Sequence, residues 1–171
     1  MSRQPIFAFP KDETVPTAFS TTYDPQLGQR VIDGAGNVWR LCESKNAVTD
    51  PSRKLFHRDT EGDNWIVEIT EAAADPVVGV AHQNLTTALA VGDYFWLQTF
   101  GNTEVEGDAA ATSVTLGHYM GPSAAGGASD GRMVTTGALT HTPLSPLRAT
   151  TAYTTPAAGT AITVRIDREL S

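Results

Sequence analysis

Two apolar runs set the limits on what this chain can become. Val77-Val78-Gly79-Val80-Ala81 is followed, after a short loop, by Leu89-Ala90-Val91-Gly92-Asp93-Tyr94-Phe95-Trp96-Leu97-Gln98-Thr99-Phe100-Gly101. β-Branched and aromatic residues dominate both runs, and glycine punctuates them, so they read as two strands bracketing a turn. Successive strand residues face opposite ways, so Tyr94, Phe95 and Trp96 are expected to fill a core from alternate positions. No catalytic motif lies in either run.

The rest of the chain repeats that grammar. Residues 29–33 and 38–43 flank Gly34-Ala35-Gly36-Asn37, the composition of a short hairpin connection. Val38, Arg40 and Cys42 should then face away from Trp39 and Leu41. Residues 54–57 and 65–69 are further short strands around the polar loop 59–64. The one expected helical turn spans 70–75, with Thr70 as cap and Pro76 as stop. Beyond Gly101, strands are expected at 111–116, 132–136 and 161–167, and the stretch 121–131 has too few apolar side chains to be more than a loop or turn region. Many short strands with Gly and Pro punctuation predict a mainly β chain, a compact sandwich or barrel-like domain with little helix.

Residues 1–26 break the pattern. Pro5, Pro10, Pro16 and Pro25 exclude a helix or central strand, yet Ile6, Phe7, Phe9, Val15, Phe19 and Tyr23 are too apolar for a purely solvated tail. An extended N-terminal arm lying on another surface satisfies both facts, and those six residues are its candidate partner contacts. That surface is either the chain's own body or a neighbouring subunit. The division expected is therefore an arm over 1–26 and a β-rich body over 27–171, the latter one unit or two packed β subdomains. A body of this size needs no staples, because a domain of about 150 residues buries roughly 70% of its unfolded surface. The single Cys42 forms no internal disulfide and reads as a small buried hydrophobe in a chain that matures in a reducing compartment. The first ten residues lack the apolar core of an export signal, no run suits a spanning helix, and the sequon at Asn84 is read as coincidental.

Charge narrows the function. The formal net charge is -7, and between Arg58 and Arg132 there is no Lys or Arg. Basic residues cluster in the first third and near the end. The acidic middle argues against nucleic acid as a partner, which needs a concentrated basic face, and reads as a solvated surface suited to a basic partner.

Catalytic and metal constellations fare poorly. His57, His82, His118 and His141 stand at irregular gaps with no paired-histidine spacing. Asp59, Glu61 and Asp63 alternate around Gly62 as oxygen ligands do around Ca²⁺, but the EF-hand spacing fails because Thr70 stands twelfth from Asp59. A solvated acidic loop is the expectation. There is no Gly-x-Ser-x-Gly elbow, phosphate cradle or dinucleotide fingerprint. The expectation is no enzyme, no cofactor and no metal.

The runs Val78-Gly79-Val80-Ala81 and Ala90 to Gly101, with Asp130-Gly131-Arg132-Met133-Val134 and the closing 158–166, resemble the strand pattern of small virion proteins of tailed bacteriophages, the capsid decoration or cement proteins. The resemblance covers residues 77–167 and leaves the arm outside. It implies a non-enzymatic homotrimer that binds the major capsid protein on the outer surface of the virion and stabilises the shell. It also implies assembly in the host cytoplasm, without nucleic acid or membrane. The alternative is a carbohydrate-binding β module in which Trp39, Trp65 or Tyr153 stacks on sugar rings.

Overall fold

The computed structural model describes residues 27–59, 65–108, 113–123, 127, 130–135, 147–154 and 157–167. Ten strands follow one another: β1 Arg30–Ile32, β2 Val38–Ser44, β3 Leu55–Arg58, β4 Ile66–Ile69, β5 Val77–Ala81, β6 Tyr94–Glu106, β7 Tyr119–Pro122, β8 Met133–Thr135, β9 Leu147–Ala149 and β10 Ala161–Ile166. The mainly β, barrel-like expectation holds. The arm lies outside the described residues.

Five strands close on themselves in the order β2-β4-β3-β5-β6, and β6 returns to β2. Every pairing is antiparallel except β2 with β4. One edge of β2 holds two neighbours in succession: β1 along its first half, then β4 opposite Glu43 and Ser44. Alternation along β2 then separates two apolar groups, as the sequence predicts. Cys42 points into the barrel with Phe56, Val67, Phe95 and Leu97, while Trp39 and Leu41 pack outside it with Trp96. The aromatic triplet is accordingly core: Phe95 is inside, Trp96 is on the outer group, and Tyr94 packs beside it.

The sequence reading ends the second apolar strand at Gly101, but β6 starts at Tyr94 and continues to Glu106. At its start, the Asp93 carboxylate takes the Ala90 N–H at 2.7 Å and holds the turn at Gly92-Asp93 that precedes the aromatics. At Gly101 the chain bends without stopping. Its φ is +102°, and a Cβ there would lie 2.1 Å from Asn37 Oδ1, so only glycine fits. Up to Phe100 the strand pairs with β2 and β5; from Gly101 onward it pairs with β10.

That change of partner opens a second sheet in the order β6-β10-β9-β7-β8. The sheet curls back on itself, because Met133 bridges Gly107 and the Asp108 N–H donates to the Met133 carbonyl at 2.9 Å. Val105, Met120, Met133, Leu147, Ile162 and Val164 fill its interior, and Leu55, Val77 and Val80 of the barrel join the same cluster. One apolar core thus crosses from sheet to barrel.

Two further expectations change. Residues 70–75 form no helix: the Asp75 carboxylate accepts the N–H groups of Glu71 and Ala72, both at 2.8 Å, and closes a loop from its far end. A side chain that takes two consecutive N–H groups substitutes for the helical turn. In the stretch 121–131, Gly121 and Pro122 belong to β7, with Pro122 at its last position, where a missing N–H costs least.

Candidate interaction surfaces

The described chain begins at a tightly built point. Leu27 packs on the barrel core, and the Gly28 N–H donates to the Leu41 carbonyl at 2.8 Å. Gly28 lies against the indole of Trp65, where a Cβ would come within 2.3 Å of ring carbon. Arg40 donates to the Gly28 carbonyl at 3.1 Å, and the Arg40 and Arg58 guanidinium carbons lie 4.9 and 4.2 Å from the Trp65 ring centroid. Leu27 and Gly28 are therefore fixed against the barrel. The candidate contacts Ile6, Phe7, Phe9, Val15, Phe19 and Tyr23 all fall outside the described residues.

The acidic middle is not simply a solvated face. Lys54 Nζ and Arg132 Nε both reach Glu106 Oε2, at 2.7 and 3.2 Å, and Arg53 Nε reaches Glu104 Oε2 at 2.9 Å. Lys45 Nζ meets Asp59 at 2.8 Å and Glu68 at 3.8 Å. The basic first third folds onto the acidic middle, and much of the charge segregation in the sequence is spent inside the molecule. Asp59, read above as part of a solvated acidic loop, holds an ammonium; Glu61 and Asp63 lie outside the described residues.

The histidines stay apart in role. His57 is buried, with Nε2 at 3.6 Å from Glu68 and 3.7 Å from Asp75. His82 packs its ring on Trp39 with centroids 5.7 Å apart, and its Nδ1 accepts the Asn84 N–H. His118 sits in the turn before β7, and His141 lies outside the described residues. Among the described residues no group of His, Cys, Asp and Glu is arranged to hold a metal ion. Ser123 donates directly to the Asp108 carboxylate in a buried pair, so no imidazole stands between them. Cys42 is fully buried; burial pushes its thiol far up, which nearby Arg58 only partly offsets.

Sugar stacking on Trp39 or Trp65 finds no open ring. Trp39 is 1% and Trp65 7% exposed, because the first lies beneath His82 and the second between two guanidinium groups. Tyr153 is half-buried, and its hydroxyl accepts the Thr163 N–H at 3.3 Å.

The sequence reading missed a polar cleft of about 220 Å³ above the bend in β6. Its floor is Trp39, and its walls include His82, Gln83, Asn102, Thr103 and Thr163. Gln98 supports the bend from below, donating to the carbonyls of Phe100 and Asn102 at 3.1 and 2.8 Å. The trace in the sequence is a scatter of amides, at Asn37 before β2, at Gln83 after β5, and at Gln98 and Asn102 along β6.

No known protein family matches this sequence, and no curated protein does. Among solved structures, a chain from the capsid of Myoviridae phage XM1 aligns with a TM-score of 0.58 at 15% identity, over 91% of this chain and 99% of that one. The N base of the head fiber gp8.5 of bacteriophage phi29 aligns with a TM-score of 0.45 at 18% identity, over 79% of this chain and 98% of that one. The first likeness establishes a shared fold.

Proposed function

We propose that this chain is a structural protein of a tailed-bacteriophage virion that binds the outer surface of the capsid as a homotrimer and reinforces contacts between major capsid proteins. The observation that supports it most is the fold shared over 91% of the chain with a protein of the phage XM1 capsid. The strand pattern over 77–167 agrees with it.

The body suits such a role because it spends its residues on packing and internal ion pairs. The arm supplies the contact. Six apolar side chains among four prolines carry reach with a limited ordering cost, and apolar surface placed against a shell subunit contributes about 25 cal/mol per Å² before that cost is subtracted. Around a closed symmetry axis each copy repeats the same contact, so modest single contacts sum.

Co-sedimentation with capsids of the virus that encodes this chain tests the proposal. The full chain is expected to pellet with the shells, and a variant lacking residues 1–20 to remain folded while pelleting far less. Equal pelleting of both would remove the arm from the account.

A further inference from the structure

The geometry points to a binding site for a neutral saccharide ring in the cleft above the bend of β6. Gln83, Asn102 and Thr163 line it, and none of their side-chain amide or hydroxyl groups is engaged by another side chain among the described residues. Each amide carries donors and an acceptor, and each hydroxyl is both. Sugar hydroxyls are likewise donor and acceptor at once, so this wall meets them in either sense.

Charge excludes the obvious competitors. No lysine or arginine lines the cleft, and its one carboxylate, Glu104, is held by Arg53 at 2.9 Å. A phosphate or carboxylate ligand would find only the His82 imidazole, whose Nδ1 already accepts the Asn84 N–H, and an ammonium would find an acid already neutralised. Trp39 closes the bottom of the cleft with its indole N–H held on Asp33 at 3.1 Å, but at 1% exposure it offers no open face. About 220 Å³ lies below the roughly 300–1,000 Å³ typical of drug-sized ligands, which suits a single ring. Contact is by hydrogen bonds around the ring edge, in place of the stacking on Trp39 or Trp65 that burial forbids.

The backbone is prepared for this. Gln98 already satisfies the carbonyls of Phe100 and Asn102, so Gly101 bends without costing the cleft its free groups. The inference does not depend on the capsid proposal, because every lining residue belongs to the body.

Ligand-observed saturation-transfer NMR on the full chain tests it. The probes are glucose, galactose, mannose and N-acetylglucosamine, with N-acetylneuraminic acid as a charged control and triglycine as an uncharged peptide. At least one neutral sugar is expected to receive saturation and the two controls none. The Gln83→Ala/Asn102→Ala double variant, altered only at exposed side chains, is expected to bind about tenfold more weakly, the loss of one to two hydrogen bonds. Leu116→Ser, in an exposed turn, should bind as the parent does. Comparing glucose with dextran separates a terminal residue from an internal one, and transfer to either supports the site. No transfer to any neutral sugar, unchanged binding in the double variant, or transfer to triglycine alone would overturn it.

Discussion

Lys54 Nζ stands 2.7 Å from Glu106 Oε2, with both side chains close to fully buried. Lys54 leads into β3 of the barrel, and Glu106 ends β6 in the second sheet. Arg132, just before β8, reaches the same oxygen at 3.2 Å. Beside them, the Glu106 N–H donates to the Arg53 carbonyl at 3.1 Å and the Leu55 N–H to the Gly131 carbonyl at 2.8 Å. The two sheets are joined here by charge as well as by apolar packing.

Glu106→Gln should therefore be costly. It leaves the Lys54 ammonium and the Arg132 guanidinium buried without their counter-charge, a loss of about 3–5 kcal/mol in comparable buried pairs. Urea denaturation at neutral pH should show a lowered midpoint that added salt barely changes, since a buried pair is little screened. A change within experimental error would mean that packing alone joins the sheets.

Gly101→Ala should destabilise the fold without changing its surface. The positive φ alone costs about 1–3 kcal/mol for a residue with a Cβ, and the clash with Asn37 adds to it. Thermal unfolding is the measurement. A melting temperature equal to the parent's would show that β6 passes between the sheets without this bend.

Asp33 gives the fold an acid-sensitive turn. Burial raises its pKa, but hydrogen bonds from the Asn37 and Trp39 side chains and the Asn37 and Ala35 N–H groups outweigh that and lower it. A carboxylate lowered on folding stabilises the protein fully above its unfolded pKa of about 3.9, and that contribution disappears as pH falls through the lower folded value. Asp33→Ala should thus cost about 1 kcal/mol at pH 7, with the gap to the parent closing below about pH 4. Urea midpoints measured across that range check the sign, and a gap that widens in acid would contradict it.

How much of this was legible beforehand follows from where the signals are local. The β1–β2 hairpin, the cores of β3, β4 and β5, and the burial of Phe95 and Trp96 on opposite faces of β6 follow from alternation and turn chemistry within a few residues. The extension of β6 does not, because glycine signals a stop as readily as a bend and only Asn37, distant in sequence, distinguishes them. β7 and β9 were missed since Gly121, Pro122 and Arg148 give little strand signal; their register comes from β8 and β10. The loop at 70–75 differs from the expected helical turn because Asp75 closes it from the C-terminal side, where Thr70 was expected to cap it from the N-terminal side. The cleft gathers residues from three strands and two loops, and no spacing announces it.

Cys42 should be inert in the native protein. Its thiol is fully enclosed and pushed far up by burial, so little thiolate exists to react. Ellman's reagent should label it only in denaturant, and labelling at the rate of a free thiol in buffer would mean that the barrel opens readily.

The central claim is attachment to the outside of a capsid, and cryo-electron microscopy of shells from the encoding virus, purified with and without this chain, tests it most directly. The account predicts added density on the outer surface, fitted by the two joined β-sheets and repeated about threefold positions. Shells with no such density, or with it on the inner surface, would contradict it.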